Sequence, residues 1–245
     1  MEIEVRSCFS HGSFRGDACP ECGEKGKVLL YPDEVEGLGK VLAGMLRHFP
    51  ERYGIRLTPN GYAKIYSIIP AIKAQRHRYG FITPLHIEAL CSTDERGRYE
   101  LNERGEIRAT YGHTIPIDLS DLPTDDIPKT AYYQTTDEEF SILKETGIFP
   151  SDKTYIHLSD NYRKAFISGL FHVDDPKIIG INCEAMSMEE PIYKASREVL
   201  LTKQILPNFI FDLPKEDVKP TEEENSEIKS YREKRERKLM GERSS

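Results

Sequence analysis

The hydrophobic positions of the first half of the chain recur at helical spacing and then give way to a hairpin pattern. Leu38, Leu42, Met45 and Leu46 fall on one side of a helix that Pro50 limits beyond Phe49. Tyr66–Ala74 forms a second apolar stripe, interrupted by Pro70. Thr83 is placed to cap a third helix, with Pro84 at its first position and Leu85, Ile87 and Leu90 following. The runs Arg98-Tyr-Glu-Leu and Glu106-Ile-Arg-Ala-Thr then flank Asn102–Gly105, a hairpin signal with glycine in the turn.

Three helices followed by a hairpin is the element order of a winged helix. The stretch Ile117–Lys129 has two prolines, four aspartates and no helical stripe, so it reads as a linker. Beyond it, Ala131–Gln134, Thr154–Leu158, Lys177–Cys183, Val199–Thr202 and Phe209–Asp212 are strand-like, and Glu138–Thr146 and Tyr162–Ser168 are helix-like. Gly147 stops the first of these helices. The pattern predicts a small mixed sheet and an α+β fold rather than a doubly wound one. No glycine-rich phosphate loop opens a helix. Lys215–Ser245 carries nine acidic and nine basic residues and almost nothing apolar, which predicts a disordered tail with some solvated helix around Ser230–Met240. The expected divisions are residues 1–30, 31–120, 126–214 and 215–245.

Composition narrows the field. The net charge of −7 over 245 residues offers no global basic field, so nucleic acid would have to meet a local patch. No apolar run approaches the ~20 residues of a membrane span, and the first residues, Met-Glu-Ile-Glu-Val-Arg, do not resemble a secretory leader. The expectation is a cytoplasmic, monomeric protein.

Three of the five cysteines lie together, which is not a disulfide framework. Cys8-x2-His11 followed by Cys19-x2-Cys22 gives two knuckles, each presenting two ligands to one ion. Three thiolates and an imidazole favour Zn²⁺, and four protein ligands leave no position for substrate, so the predicted role is structural. Cys91 and Cys183 sit in apolar runs and read as buried thiols.

Among the basic residues, Arg47 and His48 end the first helix, where cations are ordinarily dipole partners. Arg108 lies on the second hairpin strand, with His113 just past it. Lys73, Arg76, His77 and Arg78 form a short basic run after the second helix, which is either a solvated face or a backbone contact. Two arginines and a histidine meeting at one point would grip a phosphate monoester. Pattern alone does not bring them together.

In order along the chain, Gly39-Lys-Val-Leu-Ala-Gly-Met-Leu-Arg-His-Phe-Pro, Gly54-Ile-Arg-Leu-Thr-Pro-Asn-Gly-Tyr, Ile107-Arg-Ala-Thr-Tyr-Gly-His-Thr-Ile-Pro, Tyr155-Ile-His-Leu-Ser-Asp and Val199-Leu-Leu-Thr resemble the RNA 2′-phosphotransferases. The resemblance runs from about Leu38 to Leu213. It implies a winged-helix lobe that holds an RNA 2′-phosphate, and an ADP-ribosyltransferase-like lobe that holds NAD as co-substrate. By motif position Arg47, His48 and Arg108 are the catalytic phosphate clamp, joined by His113 at the RNA phosphate. Gln134, Thr136, His157, Leu158, Ser159 and Gly169 fall at cofactor-binding positions. The implied reaction removes an internal 2′-phosphate from RNA, as at a tRNA splice junction, and yields ADP-ribose 1″,2″-cyclic phosphate and nicotinamide.

Two departures stand out. Tyr133-Gln-Thr-Thr replaces a tyrosine–histidine–glycine–threonine motif, so Gln134 stands for a histidine and Thr135 for a glycine. After the second-lobe helix, Gly169-Leu-Phe-His puts Phe171 where the family has an arginine, read as the fourth cation of its catalytic set. The loop His172-Val-Asp-Asp-Pro adds two carboxylates where an anionic cofactor is expected. The competing expectation is a weakened or inactive homologue that binds RNA or phosphate.

Overall fold

The computed structural model describes residues 3–242, and the chain divides into two units. One runs to Leu122 and includes Ser151–Thr154 and Ala195–Arg197. The other comprises Pro123–Pro150, Tyr155–Lys194 and the chain from Glu198 onward.

The first unit opens with three short antiparallel strands, β1 (Val5–Cys8), β2 (Gly12–Arg15) and β3 (Lys27–Leu30), with β1 in the middle. Helix α1 (Pro32–Ala43) follows. Proline occupies its first turn, and the Glu34 carboxylate accepts the Tyr31 N–H, which satisfies an otherwise orphaned donor. Its buried stripe is Val35, Leu38, Val41 and Leu42. Strand β4 (Ala63–Lys64), helix α2 (Ile65–Gln75), helix α3 (Pro84–Ser92) and strands β5 (Tyr99–Leu101) and β6 (Glu106–Ala109) complete the unit, with sheet order β4-β6-β5. Helix α2 runs through Pro70 without breaking. The carbonyl that loses its donor, that of Tyr66, sits beside an exposed side chain where water can replace it. Val5, Leu29 and Leu30 share one core with Leu38, Leu42, Ile68, Ile72, Leu90 and Ile107. The cysteine-bearing strands are therefore rooted in the helical core rather than forming a separate bead.

The second unit is built on β7 (Thr130–Thr135), α4 (Asp137–Thr146), β8 (Ile156–Ser159), α5 (Tyr162–Leu170), β9 (Lys177–Asn182), α6 (Cys183–Met186), β10 (Tyr193–Lys194), β11 (Val199–Thr202), β12 (Ile210–Asp212) and α7 (Glu222–Glu242). The sheet order is β10-β11-β8-β7-β9-β12. Each neighbouring pair is antiparallel, so the expected mixed sheet is corrected to an antiparallel one. Strand β8 alternates buried and half-buried positions, whereas β9, in the interior of the sheet, is buried along most of its length. Ala131, Leu158, Ile179, Ile181 and Leu200 face one core with Phe140 of α4. Tyr132 and Ile178 meet Tyr162, Ala165 and Phe166 of α5 in another.

The segment from residue 215, expected to be disordered, holds the helix α7. Thr221 and Glu224 cap each other's backbone N–H groups, and Ile228 is buried. No helix among the described residues is long and apolar enough to cross a membrane.

Candidate functional site

The C-terminal end of α1 departs from α-helical winding. Gly44–His48 is a π-helical turn, closed by the Phe49 N–H donating to the Gly44 carbonyl at 2.8 Å. Such turns carry an extra residue that aims side chains off the helical register. Here it presents Arg47 and His48. The Arg47 guanidinium passes over the Tyr111 ring at 4.9 Å and the Tyr99 ring at 5.9 Å. Its course is so close to Gly112 that a Cβ there would lie 3.1 Å from Nη1 and 3.4 Å from Cδ. Gly112 also has φ +84°, so glycine is required twice over.

The same turn is tied to the chain leaving the hairpin. Thr114 N–H donates to the Arg47 carbonyl at 3.0 Å, and Thr114 Oγ1 and His48 Nδ1 are 3.0 Å apart. Between these attachments His113 is driven inward to 1% exposure. Both its ring nitrogens, the Arg47 Nε and the Thr154 Oγ1 are buried without a hydrogen-bond partner in the protein. Buried polar groups are almost always paired, so four orphans here call for ordered water or a polar ligand and make this a candidate site. Burial pushes the His113 ring down to about 4, aided by the charges of Arg47, His48 and Arg108. The charges of Arg47, His48 and Arg108 thus bear on one buried imidazole, second to its burial.

Arg108 is a different residue from the solvated strand arginine that β-propensity suggests. It is 2% exposed. Nη1 donates to both oxygens of Asp121 at 2.8 Å, Nε donates to Glu100 at 2.9 Å, and the guanidinium lies 4.5 Å from the Tyr62 ring centre. Burial alone would lower its pKa, but the two carboxylates hold it above the ordinary value. Any anion that engages Arg108 competes with them.

Sequence reasoning missed Lys153. Ser151–Lys153 reads as an unpatterned loop of the second lobe leading into the strand-like Thr154–Leu158, yet Ser151–Thr154 belongs to the first unit. There Thr154 N–H donates to the His113 carbonyl at 3.1 Å. Burial lowers the His48 pKa, followed by the charges of Arg47 and Lys153. No local signal could have found this lysine, because tertiary pairing alone carries it there. In the basic run after α2, Arg78 is ion-paired with Asp33.

In the second unit the expected cofactor residues divide. Tyr132 pairs with Ser159 between β7 and β8, and Gln134 lies two residues along β7 on the same face as Tyr132. Gly169 of α5 lies against that face; a Cβ on it would fall 3.2 Å from the Gln134 Cβ and 2.5 Å from the Pro176 Cβ. Gln134 and Gly169 therefore share one neighbourhood. His157 Nδ1 lies 3.0 Å from the Tyr155 carbonyl. Thr136 caps α4, accepting the Glu139 N–H at 3.2 Å. Leu158 is core, leaving only its backbone for a ligand. Thr135 is buried and donates to Glu139 at 3.0 Å.

Cys8, His11, Cys19 and Cys22 meet at the ends of β1 and β2, with all ligand atoms within 4.8 Å of one another. Cys8 Sγ lies 3.5 Å from His11 Nδ1 and 3.7 Å from Cys22 Sγ, and Cys19 Sγ lies 3.6 Å from His11 Nδ1. The set could hold a metal ion.

The profile of the RNA 2′-phosphotransferase, Tpt1 / KptA family matches residues 33–204. The chain is 46% identical over 232 residues to a protein of Thermoplasma acidophilum named probable RNA 2′-phosphotransferase, covering 94% of this chain and 97% of that one. A Methanosarcina barkeri protein of the same name is 36% identical over 208 residues, covering 84% of this chain and 98% of that protein. Archaeoglobus fulgidus has a probable RNA 2′-phosphotransferase 1 that is 35% identical over 210 residues, covering 84% of this chain and 94% of that protein. A match over this much of the chain sets it among transferases named for the RNA 2′-phosphate. The chain belongs to the RNA 2′-phosphotransferase family.

Proposed function

We propose that the protein removes an internal 2′-phosphate from RNA, of the kind left at a tRNA splice junction, with NAD as the accepting co-substrate. The observation that carries this reading is the cluster around His113, where Arg47, His48 and Arg108 act on a buried ring whose nitrogens have no protein partner. A dianionic phosphate monoester satisfies those donors at once. Arginine forks match phosphate oxygens, and an imidazole that gains a proton adds one more donor. The first unit, with three helices and a hairpin, is read as a winged-helix lobe, and the second as an ADP-ribosyltransferase-like lobe.

The residues of the second unit fit a dinucleotide. Gln134 keeps both a donor and an acceptor, and the missing Cβ of Gly169 lets α5 and Pro176 pack closely against it. When bound, NAD supplies an electrophilic anomeric carbon with nicotinamide as leaving group. The protein's own part is to bind and orient. Phosphate oxygens are already nucleophilic, so Arg47 and Arg108 need chiefly to position them. Fixed cations then stabilise charge that builds on the phosphoryl group when the RNA departs with a 2′-hydroxyl. His48 is the candidate to move a proton, since its pKa is lowered and its Nδ1 is held by Thr114.

For the metal, zinc fits the donor set. With Zn–S of ~2.3 Å and Zn–N of ~2.05 Å, a tetrahedron has S···S edges of about 3.8 Å and S···N edges of about 3.6 Å. The separations of 3.7, 3.5 and 3.6 Å match these edges. Its role is structural, joining the β1–β2 turn to the Cys19–Cys22 turn.

A single-turnover assay tests the function. RNA bearing one internal 2′-phosphate is mixed with protein, with and without NAD, and the products are resolved by mass. NAD-dependent loss of phosphate with ADP-ribose cyclic phosphate is the expected result. Tight binding without reaction would instead favour an RNA-binding module.

A further inference from the structure

We propose that the C-terminal strap, from Lys215 to Arg232, is a positioning element for the loop Leu170–Asp175 and neutralises both of that loop's aspartates, so that an anionic dinucleotide can lie beside Gln134. The inference rests on the reading of the second unit as the dinucleotide-binding one.

The loop begins and ends at the candidate cofactor face. A Cβ on Gly169 would clash with Pro176 at 2.5 Å and crowd Gln134 at 3.2 Å, so the chain leaves α5 and returns to β9 at the same point. Between these residues it carries Asp174 and Asp175, an unsuitable pair beside two phosphates. The strap answers both charges. Lys215 Nζ lies 2.6 and 2.7 Å from the two Asp175 oxygens, and Arg232 Nη1 is ion-paired with Asp174.

Arg232 does more than balance charge. Its Nε donates to the Leu170 carbonyl at 2.8 Å and its Nη2 donates to the Val173 carbonyl at 2.5 Å. Leu170 is the last residue of α5, whose terminal carbonyls have no partner within the helix. The guanidinium therefore caps α5 and holds the loop's backbone in one shape. Tyr231 adds edge-on contacts to Phe171 at 5.4 Å and His172 at 6.0 Å. Phe171, which stands where the family has arginine, is thus a docking point for the strap. Elsewhere along it, the Glu216 N–H donates to Tyr162 at 3.1 Å, Val218 packs on the α5 cluster, and Arg163 makes two hydrogen bonds to Glu224 at 2.8 and 2.6 Å. Exposed ion pairs contribute little to folding, but fixed charges at a site act on a bound anion whatever they do for stability.

Two readouts on the full chain test the proposal: NAD binding by calorimetry, and amide hydrogen exchange across residues 170–176. Arg232→Ala should raise exchange in this loop and weaken NAD binding about 5-fold, the equivalent of ~1 kcal/mol. Adding Lys215→Ala should weaken binding further. Introducing Asp174→Asn and Asp175→Asn into that double variant should recover the affinity while exchange stays fast, which also shows that the variants are folded. Arg232→Ala with unchanged exchange and unchanged affinity overturns the proposal. Affinity that the asparagines fail to recover overturns its electrostatic half. Wild-type protein that binds no NAD overturns the cofactor reading itself, and the assignment of the strap to it.

Discussion

His113 offers the sharpest test of the phosphate cluster before any substrate is added. In the unfolded chain its ring titrates near the ordinary 6.5; in the fold it is pushed down to about 4, chiefly by burial and then by the charges of Arg47, His48 and Arg108. The folded protein therefore holds this proton more weakly than the unfolded chain does. Between pH 6.5 and 4 it is the unfolded form that takes up the proton, so stability present at neutral pH is lost as pH falls through that window. A shift of roughly 2.5 units at 1.36 kcal/mol each makes the loss about 3 kcal/mol. The perturbation is His113→Gln, which keeps polarity and removes the titration. Urea unfolding of both proteins from pH 7.5 to 4, followed by circular dichroism, cancels the contributions of the other histidines. The wild type should lose about 3 kcal/mol more than the variant, and NMR titration of the ring should place its pKa near 4. Parallel stability curves, or a ring titrating near 6.5, would refute the argument that the cations converge on it. A phosphate monoester should raise that pKa, because it replaces repulsion by an anion.

Four further outcomes are expected. Asp121→Asn releases one of the two carboxylates that hold Arg108 and should tighten binding of 2′-phosphorylated RNA, whereas Arg47→Ala should weaken it about 10- to 100-fold; binding titrations should show little change for the unphosphorylated RNA, and equal losses for both RNAs would dissolve the clamp. Chelation should remove one zinc per chain and lower the melting temperature of the first unit as a whole, since Val5, Leu29 and Leu30 belong to its core; loss of order confined to the knuckle would contradict that rooting. Gly169→Ala should cost about 1–3 kcal/mol, because its Cβ would sit 2.5 Å from Pro176 and 3.2 Å from Gln134, and an unchanged denaturation midpoint would mean that α5 can move aside.

Much of this molecule is legible from its residues one stretch at a time. Helical spacing marks α1, and Thr83-Pro84 marks the start of α3, because periodicity and capping are local properties. The four candidate metal ligands are legible for the same reason: two-residue spacing constrains a knuckle before anything else packs. Composition misleads at the C-terminus. Few apolar residues between Lys215 and Ser245 suggest disorder, yet α7 is held by Arg232, Tyr231 and Glu224 reaching α5 and its loop. Those partners are 58 to 62 residues away in sequence, out of reach of any window.

The order of motifs in the sequence determines the family and names Arg47, His48, Arg108 and His113. Tertiary structure decides what those side chains experience. Arg108 alternates with apolar strand neighbours and reads as an edge residue, but two carboxylates from other segments enclose it. His113 reads as a loop histidine, but the π-turn of α1 and the strand exit close over it. Lys153 reads as nothing at all, and the fold delivers it to His48. Charge and burial are sums over neighbours in space, and chain order alone does not contain that sum.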